Sequence, residues 1–142
     1  MKTSITKLFF CIFLITIGCT QTSKENQETE EEDPNKKLYE QVMDIHDEVM
    51  PSMDELYSLK RQLNDKIANS PDLVEEKRKD IDNTIHLIDS ASRGMMTWMN
   101  EFKPEEHNDE DLRVYLESEM KRVQKVKDTM LDAIEKGKKA LQ

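Results

Sequence analysis

From Asp33 onward, apolar residues recur every three or four positions, the spacing that lays one stripe along an α-helix. The first stripe runs through Leu38, Val42, Ile45, Val49, Met53, Leu56, Leu59, Leu63 and Ile67. Asp33 and Pro34 supply its N-cap and first turn. The phase continues unbroken across Pro51. An interior proline loses the hydrogen bond to the carbonyl four residues back, here Asp47, and costs about 3 kcal/mol. The continuous phase predicts one helix kinked at Pro51 rather than two independent ones.

A second stripe follows the turn signal Asn69-Ser70-Pro71-Asp72, with Ser70 read as the cap and Pro71 as part of the first helical turn. It comprises Val74, Ile81, Ile85, Ile88, Ala91, Met95, Met99 and Phe102. Gly94 sits inside this helix at a cost of about 1 kcal/mol relative to Ala, which a close helix contact would explain. Lys103-Pro104 ends it. Asn108 opens a third stripe through Leu112, Leu116, Met120, Val123, Met130, Ile134 and Leu141. Asp109, Glu110 and Asp111 near its start, and Lys136, Lys138 and Lys139 near its end, complement the helix dipole. Nothing reads as a strand. The pattern predicts an all-α, antiparallel three-helix bundle over residues 34–142, its long helices joined by short connections as in helical bundles and coiled coils.

The first 33 residues follow other rules. Lys2 and Lys7 precede the apolar run from Leu8 to Ile17, and Gly18 and Cys19 follow it. A basic start, a short apolar run and a small residue before a cut make a secretory signal peptide. A Cys at the first mature position resembles the bacterial lipoprotein signal. That resemblance implies removal of residues 1–18 and acylation of Cys19 with diacylglycerol and fatty acids such as palmitate. Cys11 leaves with the signal, so Cys19 is the single thiol of the mature chain and forms no internal disulfide. Ten helical residues cover about 15 Å, half the hydrocarbon core, so the run predicts anchorage rather than a span. Residues 20–33 hold no aliphatic or aromatic side chain and read as a disordered acidic tether. The expected organisation is a lipoprotein signal peptide over 1–18, a lipidated Cys with its tether over 19–33, and the bundle over 34–142.

Charge narrows the partners. Losing Lys2 and Lys7 leaves 19 of the 21 basic residues against all 30 acidic ones, a net −11 compared with −9 for the whole chain. A chain this acidic lacks the basic footprint that nucleic acid requires and is not drawn to anionic head groups.

Few residues of the chain stand in a pattern that carries chemistry. His46, His86 and His107 show no zinc-site spacing, and no Cys cluster accompanies them. Three glycines cannot build a phosphate loop, and the acids fall where amphipathic helices put their wet faces. No catalytic residue is expected. One constellation stands out among the nine Met. Met43, His46, Met50 and Met53 share a stripe on the first helix, while Met95, Met96, Trp98 and Met99 cluster on the second. A hairpin centred near residue 70 sets Met43 opposite Trp98 and His46 opposite Met95, at the level of Pro51 and Gly94. One reading makes Met a pliable filler around the kink, Trp98 a core anchor and His46 a hydrogen-bonded residue at the core's edge. The other makes Met43, His46, Met50, Met95 and Met99 a thioether–imidazole site for Cu(I) or Ag(I).

Met43-Asp44-Ile45-His46-Asp47-Glu48-Val49-Met50-Pro51-Ser52-Met53, and Met95-Met96-Thr97-Trp98-Met99-Asn100-Glu101-Phe102-Lys103-Pro104, resemble a family of small helical Bacteroidota lipoproteins often labelled "viral A-type inclusion protein". The resemblance implies a helical lipoprotein and lends no catalytic residues. The sequence thus predicts a non-enzymatic envelope lipoprotein, without cofactor beyond its lipid. It is expected at the outer membrane, since Thr20 is no inner-membrane retention cue, where it presents a surface to an envelope protein. Soft-metal binding is the alternative.

Overall fold

The structure, a computed structural model, describes residues 33–142. The signal-peptide, Cys19 and tether readings lie outside the described residues. The described chain is all α-helical apart from its turns: α1 (Pro34–Val49), α2 (Ser52–Ala68), α3 (Glu75–Glu101), a 3₁₀ turn (Pro104–Glu106) and α4 (Asp109–Leu141). Together they form an up-down-up, antiparallel three-helix bundle, with α1 and α2 as the two arms of the first member.

The junction of α1 and α2 is a kink, as the unbroken phase predicts. Met50 and Pro51 both keep right-handed helical dihedrals. Met50 N–H still donates to the carbonyl of His46 at 2.8 Å, and Met53 N–H donates to that of Met50 at 3.1 Å. Pro51 has no N–H to offer Asp47, and the axis bends where that bond is missing. The kink changes the neighbours of the helix. α2 packs on both α3 and α4, whereas α1 packs on α4 and meets α3 chiefly through large side chains.

Two expectations fail. The turn after α2 is longer than Ser70 and Pro71 suggest: Leu73 N–H closes onto the carbonyl of Ser70 at 3.1 Å, and α3 begins only at Glu75 behind an uncapped Val74. Pro71 suits the second position of a tight turn as well as the first turn of a helix, and Asp72 and Leu73 complete the turn. Val74, expected in the core, is 64 % exposed. Gly94 makes no close helix contact either, for a Cβ built there would meet nothing within 4 Å. The close approach is at Gly137 of α4, whose Cβ would lie 3.1 Å from Leu59 Cδ1 and 3.3 Å from Ile88 Cδ1. Three helices therefore pack tightly at Gly137, in the half of the bundle holding α2.

The helix ends are satisfied as their sequence promises. Asp33 accepts from Asn35 N–H at 2.9 Å, and Asn108 accepts from both Glu110 and Asp111 N–H at 3.1 Å. Lys66 of α2 donates to the last carbonyls of α4, Ala140 at 2.9 Å and Leu141 at 3.1 Å, a cation at the negative end of the dipole. Interhelical ion pairs Lys60–Asp89 and Lys138–Glu55, at 2.6 and 2.7 Å, flank the apolar seam.

Candidate functional site

The gap between α1 and α3 is filled by rings. Trp98 is buried and stacks on Phe102 with centroids 5.0 Å apart. Phe102 in turn lies 5.9 Å from Tyr39 of α1 and 6.0 Å from Tyr115 of α4, and Tyr115 stacks on His107 at 4.0 Å. The Tyr115 hydroxyl accepts from Lys103 N–H at 2.7 Å, tying the α3–α4 connection to the stack. Burial pushes the Tyr115 phenol up from its ordinary range, against the opposing pull of that hydrogen bond.

A buried indole needs an acceptor. Trp98 Nε1–H donates to Glu119 Oε2 at 2.8 Å. Glu119 is only 2 % exposed, and its other oxygen accepts from Arg122 Nη1 at 2.7 Å. The second arm of the Arg122 guanidinium reaches Glu101. These partners, Glu119 first, hold the Arg122 guanidinium above its usual range despite some desolvation. The result is a closed Trp98–Glu119–Arg122–Glu101 chain in which the buried carboxylate has a donor on each oxygen.

His46 faces this cluster from α1, its ring 5.6 Å from that of Trp98 and tilted by 32°. Its side chain is 13 % exposed, and Nδ1 lies 2.8 Å from Asp47 Oδ1. A carboxylate accepts, so Nδ1 carries the proton in the neutral ring and Nε2 keeps a lone pair. Nε2 is buried and has no hydrogen-bond partner among the described residues. Such an orphaned polar atom is costly unless something pairs with it.

Met43, Met50 and Met95 join the core that Trp98 anchors, Met95 fully buried and the other two half-buried. Met43 and Met50 stand three residues before and four after His46, on its own face of α1. Met99 does not join them, being 39 % exposed, and the core stripe of α3 runs Met95–Trp98–Phe102 instead. Trp98 is the ring that His46 meets across the helices, one position-triplet beyond the expected Met95, because the longer turn at 69–74 shifts the hairpin register. Among the described residues no three His, Cys, Asp or Glu are placed to hold a metal ion together.

Glu119, Arg122, Glu101 and Tyr115 were not expected at the site. A signal for Glu119 existed. It stands three residues after Leu116 and four before Val123, within the apolar stripe of α4. An acid in that position must be paired or must pull its helix toward water.

The architecture defines an all-α bundle with an aromatic–carboxylate cluster built from all three of its members. No family model, curated protein or solved structure matches the chain significantly.

Proposed function

We propose that this chain is a lipoprotein of the cell envelope, anchored by acylated Cys19 at the outer membrane, whose bundle is a non-enzymatic module presenting a surface to an envelope protein. The observation that carries the reading is a strip of exposed apolar side chains beside the aromatic cluster. Tyr39, Met96 and Met99 are 39, 51 and 39 % exposed. Met96, Met99 and Phe102 follow one another by single helical turns on α3, and Tyr39 lies against Phe102. Contiguous apolar surface marks a contact site, and Met adapts to the shape of whatever it meets. No described helix is long and apolar enough to cross a membrane, which agrees with attachment through Cys19. Among the described residues the one buried carboxylate, Glu119, is already engaged on both oxygens, which favours a structural over a catalytic role for it.

Two measurements test the reading. Cys19→Ala should abolish labelling by radioactive palmitate and release the chain from membranes; unchanged retention refutes the anchor. A photo-cross-linking amino acid at position 99 should capture an envelope protein in cells, whereas one at exposed Tyr57 on α2 should not. No adduct at position 96 or 99 refutes the surface and reduces the bundle to a spacer.

The unpartnered His46 Nε2 favours a second reading, soft-metal binding. Histidine ligands commonly donate their other N–H to a carboxylate, as Nδ1 does to Asp47. Met43, His46, Met50 and Met95 would supply thioether and imidazole donors suited to Cu(I) or Ag(I). Titration of Cu(I) against a competing chelator should give micromolar or tighter binding. Equal binding in Met43→Leu/His46→Ala refutes it.

A further inference from the structure

Gly94 poses a question that the fold does not answer. Glycine is the poorest interior helix former after proline, yet a Cβ at position 94 would meet nothing within 4 Å. The space it leaves open belongs to a groove of about 570 Å³ between α3 and α4. That volume falls within the range of small-molecule sites, about 300–1,000 Å³.

The chemistry of the groove departs from that of the molecule. The chain carries a net charge of −9, but the charged side chains lining the groove, Arg93, Arg122 and Lys125, are all cations. Arg122 is engaged by Glu119 and Glu101. Arg93 and Lys125 have no ion-pair partner among the described residues. The acid nearest in sequence on α3, Asp89, is taken by Lys60 of α2. The rest of the lining mixes apolar Ala91, Val126 and the nearly buried Trp98 with the hydroxyls of Ser90, Thr97 and Thr129.

We infer that this groove binds a small amphipathic anion, its phosphate or carboxylate head between Arg93 and Lys125 and its apolar part over Gly94 against Trp98. Ionised acceptors suit Arg and Lys donors, and a cationic cleft in a low-dielectric wall concentrates anions. Arg122, pinned by its two carboxylates, shapes one end of the groove and adds little net charge. Gly94 keeps the floor open for the ligand body.

Trp98 is the only tryptophan, so its fluorescence reports occupancy directly. The full-length chain in non-ionic detergent is titrated with inorganic phosphate, hexyl phosphate and hexanoate at constant ionic strength, and with micelles doped with phosphatidylglycerol. A saturable response in the submillimolar range to at least one probe is expected. Arg93→Ala/Lys125→Ala should weaken it by at least about tenfold, and the charge-matched control Lys37→Ala/Lys79→Ala should leave it unchanged. Gly94→Leu should abolish it while circular dichroism shows an intact bundle, because the added side chain fills the groove. A response confined to phosphatidylglycerol, and lost in the Arg93/Lys125 variant, keeps the site and makes its ligand a lipid head group. No saturable response to any probe overturns the inference, as does a response that survives Gly94→Leu or falls equally in the control.

Discussion

Two helix-interior glycines should respond in opposite ways to the same substitution. Gly94→Ala and Gly137→Ala each remove the conformational cost of glycine, a gain of about 0.5–1 kcal/mol. At position 94 nothing opposes that gain, since a Cβ meets no atom within 4 Å. At position 137 the methyl would stand 3.1 Å from Leu59 Cδ1, 3.3 Å from Ile88 Cδ1 and 3.4 Å from Leu59 Cβ. Leu59 and Ile88 are both buried, so their Cδ1 atoms have little room to give way. Overpacking of this kind costs about 1–3 kcal/mol. Gly94→Ala should therefore stabilise the bundle by about 0.5–1 kcal/mol, and Gly137→Ala should destabilise it by about 1 kcal/mol. Urea unfolding followed by helical circular dichroism measures both as shifts in midpoint at unchanged slope. In thermal unfolding the two variants should separate by roughly 5–10 °C, with the parent between them. Two stabilised variants would show that the α2–α3–α4 contact at Gly137 relaxes freely. A destabilised Gly94→Ala would show that the space beside α3 is not open, and would remove a support of the groove as well.

Removing the buried acceptor by Glu119→Ala strands the Trp98 indole N–H and opens a cavity; a loss of about 3 kcal/mol is expected in urea unfolding. A loss below about 1 kcal/mol would mean that water replaces the carboxylate. Asn108→Ala deletes the cap of α4, which accepts from two backbone N–H groups, and should cost about 1 kcal/mol by the same measurement. The phenol of Tyr115 is favoured neutral in the folded state because burial raises its pKa. Its contribution to stability is thus complete below pH 10 and is lost as pH rises through the raised value. Tyrosinate absorbance should show a step above the ordinary tyrosine range that Tyr115→Phe removes; an unaltered titration in the variant refutes the assignment.

The helices were legible because their stripes are long and their punctuation strong. Pro51 could be placed inside a helix from phase alone, and Asn108 marked the start of α4 because its first turn is acidic. The start of α3 was not legible from Ser70 and Pro71, since a proline fits the first turn of a helix and a tight turn equally well. Met95 and Met99 both fit a helical stripe, and so does Trp98 between Met95 and Phe102. Only the neighbouring helices decide which of them faces inward. Gly94 and Gly137 show the same limit. A glycine's cost is local and readable, but its reason lies in atoms distant in sequence. The site was half legible for that cause. Met43, His46, Met50 and Trp98 could be brought together by hairpin geometry, whereas Glu119 and Arg122 come from the third helix, whose rotation about its axis the pattern left open between Glu119 and Met120.

The Pro51 kink explains why the chemistry gathers in one half of the bundle. Beyond the kink, toward α2, three helices close around Gly137, and the buried groups there are apolar save the Ser92 hydroxyl, which is bonded to the Ile88 carbonyl. On the α1 side the first helix no longer packs its backbone on α3, and the gap needs the largest side chains available. Trp98, Phe102, Tyr39 and Tyr115 fill it. Rings bring polar edges with them, so an acid must enter the core to receive the indole N–H, an arginine must follow to hold the acid, and an imidazole nitrogen is left with no partner among the described residues. Those features arise from one geometric cause, a widened helix–helix interval. Straightening the first helix with Pro51→Ala would narrow that interval and disturb His46, Trp98 and Glu119 together, while the Gly137 contact would stand.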